Sequence, residues 1–149
     1  MKIIKTVLLI VTFLICNQTY SQLIGKNKVF NKKLEAANVQ FSDNNYHLAL
    51  PFYNELHAID SLNSEVSYKL GVCLFIVRRQ TLDCVPLFEQ SKNDYSESYF
   101  YLGQLYHKMG KFNKALECYQ EFKNSGEKPD ISIDEVDYYM QKSFNAKEM

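Results

Sequence analysis

The residues able to do chemistry are few and scattered. His47, His57 and His107 stand in separate segments, with no His-Glu-x-x-His pair and no Cys/His spacing suited to a metal. A serine nucleophile would need a Gly-x-Ser-x-Gly turn, and a nucleotide phosphate a glycine-rich loop; the sequence has neither. Carboxylates gather in three places. Asp43-Asn44-Asn45 reads as a loop and helix cap, because no spaced carboxylate series follows to ligate calcium. Glu127-Lys128-Pro129-Asp130 reads as a solvated turn. Asp134, Glu135 and Asp137 fall where a helix is expected to begin, and there they complement its dipole. The expectation is no catalysis, no cofactor and no metal. What is left is recognition, which depends on the surfaces that the elements set side by side.

The chain has 149 residues, 46% of them hydrophobic, with 17 basic and 17 acidic side chains. That length suits one domain. Its neutral balance argues against nucleic acid, which needs a clustered excess of Lys and Arg. Five Gly and three Pro are too few for a loop-rich sandwich, while eleven Tyr and ten Phe supply core volume without Trp. The composition points to a helix-rich domain.

Residues 1–21 read as a signal peptide. Lys2 and Lys5 precede the apolar run Val7 to Cys16, which is too short for a membrane span but right for a secretory core. Cleavage is expected after Ser21, leaving Gln22 first; an uncleaved anchor is the alternative. A lipidated Cys16 would offer another membrane attachment, but the bulky Ile15 before it disfavours that. Removing Lys2 and Lys5, with no acidic residue lost, leaves a net charge of −2. The remaining cysteines, Cys73, Cys84 and Cys118, read as small buried hydrophobes. A Cys73–Cys84 bridge stays open.

The segments around Leu48-Ala49-Leu50-Pro51-Phe52-Tyr53, Asp83-Cys84-Val85-Pro86-Leu87-Phe88 and Lys114-Ala115-Leu116-Glu117-Cys118-Tyr119 share one pattern. A small residue (Ala49, Cys84, Ala115) is followed four positions on by an aromatic, and the small residues are 35 and 31 apart. Upstream, Tyr68-Lys69-Leu70-Gly71 aligns with Phe100-Tyr101-Leu102-Gly103, where two glycines inside helices signal close helix–helix approach. Helices are expected over 28–42, 46–59, 64–78, 81–91, 96–109, 112–124 and 132–147. Pro51 and Pro86 are expected to kink or loosen the helices that contain them. Gly126 and Pro129 give a stop signal, and Ser132 to Glu135 a capping box. Val136, Tyr139, Met140 and Phe144 then form an apolar stripe on the last helix.

A helix-pair repeat of this period resembles the tetratricopeptide repeat, most clearly in Tyr99-x2-Leu102-Gly103-x2-Tyr106-x3-Gly110-x-Phe112-x2-Ala115-x3-Tyr119. The resemblance implies an all-α, right-handed α-α superhelix. About three helix pairs, over 30–63, 64–95 and 96–126 of a domain spanning 22–149, are capped by a last helix over about 132–147. It also implies a partner-binding groove along the first helix of each pair. The family's slots fall on Asn31, Leu34, Asn38, Phe41 and Ser42, then Glu65, Tyr68, Val72, Phe75 and Ile76, then Glu97, Phe100, Gln104, His107 and Lys108. Leu34, Phe41, Tyr68, Phe75 and Phe100 together could form an apolar stripe for a peptide or helix, or pack between repeats. The Lys/Arg cluster that clamps a chain-end carboxylate in some chaperone-binding members is missing from these slots.

The order of parts, from the signal sequence through Tyr68-Lys69-Leu70-Gly71-Val72-Cys73 and Tyr101-Leu102-Gly103-Gln104-Leu105-Tyr106-His107 to Asn145-Ala146-Lys147-Glu148, resembles the N-terminal part of Bacteroidetes envelope proteins. In those the repeats continue into a β-propeller and often an OmpA-like domain. The chain is therefore expected to be a stand-alone or truncated relative. It would be a periplasmic or outer-membrane-associated adaptor holding a protein or peptide partner, with a ligand-binding protein of the same location, taking a glycan or a peptide, as the alternative.

Overall fold

The computed structural model describes residues 27–125 and 131–148. The expected cleavage site, Cys16 and the turn at Gly126 to Pro129 lie outside these residues. The described residues are all-helical: α1 over 27–42, α2 Tyr46–Ile59, α3 Ser64–Val77, α4 Val85–Ser91, α5 Glu97–Lys108, α6 Phe112–Asn124 and α7 Ile133–Glu148. Along the chain α3 packs on α2 and α4, α5 on α4 and α6, and α7 on α6. No helix among the described residues is long and apolar enough to cross a membrane.

Six helices begin and end within a residue of their expected bounds. The exception is 81–91, which divides into a 3-10 turn at Leu82–Cys84 followed by α4. Pro86 explains the division. It sits in the first turn of α4, where its missing N–H has no intrahelical partner to lose. Pro51 is different: it is exposed, and α2 runs helical past it to Ile59.

The first helix of each pair ends in one way. A residue in the left-handed region (Asn44 at φ 59°, Arg79 at 52°, Gly110 at 68°) turns the chain. The next N–H then donates to the carbonyl five residues back, Asn45 to Gln40 at 2.9 Å, Gln80 to Phe75 at 2.7 Å and Lys111 to Tyr106 at 2.8 Å. Only the third turn uses the glycine that this geometry favours.

Within the second and third pairs a glycine faces an aromatic ring of the paired helix. A Cβ on Gly71 would lie 2.8 Å from Phe88 Cε1, and one on Gly103 would lie 2.3 Å from Tyr119 Cε1. The two helix glycines are thus required by close approach, as their spacing implied. Ala37 and Tyr53, both fully buried, occupy the same places in the first pair. Aromatic rings interlock within and between pairs. Tyr101 of the third pair stacks on Phe88 of the second at 4.9 Å, and Phe100 contacts Tyr119 and Phe122 inside the third pair and Tyr139 of α7, with centroids 5.8–6.2 Å apart.

Cys73, Cys84 and Cys118 are free thiols, so no Cys73–Cys84 bridge is present. Burial pushes the Cys73 and Cys84 thiols up to about 12, which leaves them protonated and unreactive near neutrality. At the start of α7 the Ser132 hydroxyl accepts the Glu135 N–H at 3.2 Å. The expected α7 stripe needs one correction. Val136 is buried and Tyr139 and Met140 are half-buried, but Phe144 is 50% exposed and Ser143 faces inward in its place.

Candidate functional site

Helices α1, α3, α5 and α7 stand side by side, linked by Asn38 to Glu65, Phe75 to Tyr101 and Phe100 to Tyr139. The face they form is the one on which the groove slots were expected, and it differs from end to end.

At the α1 end the polar groups are matched to one another. Asn38 Oδ1 accepts from the Tyr53 hydroxyl at 2.6 Å and from Lys69 Nζ at 2.9 Å, and its amide donates to Glu65 Oε1 at 3.2 Å. Lys69 also pairs with Glu65 at 2.6 Å. Burial raises the Glu65 carboxyl, but the Lys69 hydrogen bond and charge, with the Asn38 bond, outweigh it and hold the group below its ordinary value. Phe41 is half-buried beneath Lys69 Nζ, edge-on to Tyr46 and Tyr53. Asn31, Leu34, Asn38 and Ser42 line a shallow recess of about 530 Å³ along α1.

The middle of the face is corrected most. Val72, Phe75 and Phe100 are 2%, 8% and 3% exposed, so they serve the core rather than a ligand. Phe75 is held edge-on by Phe88 and Tyr101. Tyr68 is half-buried and stacks on Tyr95 at 4.7 Å. Glu97 is half-buried, while Ile76 remains 43% exposed.

At the α7 end Gln104 is 7% exposed and its Oε1 accepts from Gln80 Nε2 at 3.1 Å. His107 Nδ1 lies 2.7 Å from the Ser143 hydroxyl, which also donates to the Tyr139 carbonyl at 2.9 Å. Burial, then the Lys142 charge, lowers the His107 imidazole below its ordinary value. Exposed Lys108 donates to the Gln80 carbonyl at 2.9 Å.

Several residues here escaped the slot assignment. Lys69 had a signal, its position four after Glu65 on one helix. Gln80 had none, because two consecutive left-handed residues, Arg79 and Gln80, place it. Tyr139, Lys142 and Ser143 come from α7, which was read only as a cap. Among the described residues no three His, Cys, Asp or Glu side chains are grouped so as to hold a metal ion.

Residues 96–121 match the tetratricopeptide repeat family, covering α5 and most of α6. No curated protein sequence matches the chain. Among solved structures, the Yersinia enterocolitica type III secretion translocator chaperone SycD is similar, with a TM-score of 0.65 at 16% identity over 80% of this chain and 86% of that one. The first TPR domain of Spaghetti (RPAP3), bound to the HSP90 peptide SRMEEVD, gives 0.62 at 15% identity over 77% and 90%. MamA gives 0.56 at 18% identity over 80% and 73%. At these identities the likeness is one of fold. The chain has the tetratricopeptide-repeat superhelical fold, and its third helix pair carries the family's sequence pattern.

Proposed function

We propose that this chain is a non-catalytic scaffold that holds a segment of a protein partner along the face of α1, α3, α5 and α7. The observation that carries the reading is the division of labour on that face. Its apolar slots, Val72, Phe75 and Phe100, are committed to packing, while Asn31, Ser42, Ile76, His107 and Lys108 keep surface at the same spacing. Two solved relatives in fold are a peptide complex and a chaperone by name, which is consistent with this reading. A chaperone-type chain end is not favoured at the α1 end, where Lys69 is already paired. The glycan alternative needs open aromatic faces, and Tyr95 covers one face of Tyr68.

An exported setting rests on Lys2, Lys5, the apolar run and Ser21, and an envelope role on the resemblance to Bacteroidetes repeat proteins. N-terminal analysis of protein from its native envelope should find Gln22 first; an intact Met1 would overturn export by cleavage. The adaptor reading is tested by affinity capture from the same envelope. The parent should retain a protein that an Asn31→Glu, Ile76→Glu variant with unchanged helix content loses. Equal retention by both would move the interface off this face, and no retention would remove the reading.

A further inference from the structure

The α7 end of the face carries charge that the molecule does not neutralise. A recess of about 310 Å³ there is lined by Gln80, Gln104, His107, Lys108, Tyr139 and Lys142. Its two charged groups are both lysines. Neither is in an ion pair among the described residues, unlike Lys69 at the other end. Burial, then the nearby Lys142 charge, disfavours protonation of His107, so the recess draws its charge from the two ammonium groups. Glu135, one turn earlier on α7, is felt by the Tyr139 phenol but does not line the recess.

The walls are built rather than incidental. Gln80 sits at φ 61° directly after Arg79 at 52°, a pair of left-handed residues where the other two turns use one. L side chains resist that conformation, and such strain concentrates where a side chain must be aimed. Here it aims Gln80 at the nearly buried Gln104, and Lys108 clamps the turn through the Gln80 carbonyl. With Gln104 Oε1 taken, the amide has its Nε2 hydrogens left to give.

We infer that this recess takes a side-chain carboxylate from an acidic segment of the bound partner. Lys142 and Lys108 supply the charge, and the Gln104 amide and Tyr139 hydroxyl the directed donors. The inference rests on the scaffold reading above and assigns its specificity to one end of the face.

The test is a titration of the isotope-labelled protein, followed by NMR, with an eight-residue Glu-rich peptide blocked at both termini. Its Gln counterpart is run blocked, and again with a free C-terminal carboxylate. The Glu peptide should shift the amides of Gln80, Gln104, His107 and Lys142. Lys142→Ala should weaken it about tenfold, the usual yield of one charge-assisted contact. Gln80→Gly keeps the turn, since glycine accepts its φ, but removes the bond that orients the Gln104 amide, so it should weaken the peptide with helix content unchanged. Equal binding of the blocked Gln peptide, shifts confined to other helices, or an unchanged affinity in both variants would overturn the inference. Binding only by the free chain end would replace the side-chain carboxylate with a terminal one. Should the peptides fail while the Asn31→Glu, Ile76→Glu variant still loses its captured partner, the scaffold reading stands and the acidic subsite alone falls.

Discussion

The seams of the second and third helix pairs follow one plan and differ at a single atom. In each, a helix glycine lets an aromatic ring from the paired helix lie against the backbone: Phe88 over Gly71, Tyr119 over Gly103. The third seam is tighter, and its ring carries a hydroxyl that is buried without a hydrogen-bond partner. The first pair shows the other solution, in which the Tyr53 hydroxyl reaches Asn38 at 2.6 Å. Ring shape is thus what the repeat requires. The hydroxyl is incidental to packing, and its energetic sign depends on whether a neighbouring slot offers an acceptor.

The largest test of that comparison removes a ring. Phe88 is fully buried and contacts Phe75 and Tyr101 from adjoining helices, so Phe88→Ala opens the junction of the second and third pairs. A loss of about 3–5 kcal/mol is expected from urea unfolding. A loss below about 1 kcal/mol would mean that the pairs are not coupled through this ring. The next test fills the glycines. Ala is a better helix residue, yet its Cβ would meet a ring, so Gly103→Ala should cost about 1–3 kcal/mol net. Gly71→Ala should cost less, because its contact is 2.8 Å against 2.3 Å. Reversal of that order would break the assignment of the third seam as the tighter one.

The turns allow a similar comparison. Gly110 and Arg79 hold equivalent left-handed positions, and the space around Gly110 is open. Gly110→Ala should therefore cost about 1 kcal/mol from backbone strain alone, and Arg79→Gly should gain a similar amount. Thermal melts of the two variants, moving in opposite directions, would check this.

These contrasts also mark what a reader of the chain can and cannot see. Helical spacing and the Ala49/Cys84/Ala115 slots are local signals repeated three times, the Gly71/Gly103 slot is one repeated twice, and the helices follow them closely. Burial on the groove face was harder to read. Phe75 and Phe100 occupy slots expected to face an open groove, and their burial depends on Tyr101 and Tyr139 arriving from neighbouring helices. The α7 end was hidden for a further reason. Gln80 is aimed by two backbone torsions that no residue type announces, and Ser143, rather than the more hydrophobic Phe144, turns inward, where its hydroxyl meets His107 and the Tyr139 carbonyl. A hydrophobic stripe cannot report a seat chosen by hydrogen bonding.

The smallest effects carry the comparison furthest, because they change one oxygen and nothing else. Tyr53→Phe removes the donor to Asn38 while Lys69 still occupies the same acceptor, so a loss of about 1 kcal/mol is expected. Tyr119→Phe removes a hydroxyl that is desolvated and unpaired, so it should leave stability unchanged or raise it by up to about 1 kcal/mol. Urea midpoints at constant slope would measure both. Losses of equal size would show that a partner for the Tyr119 hydroxyl, such as a buried water, exists in solution. Opposite signs would establish that the first pair gains from its hydroxyl through Asn38 and that the third carries its own at a cost.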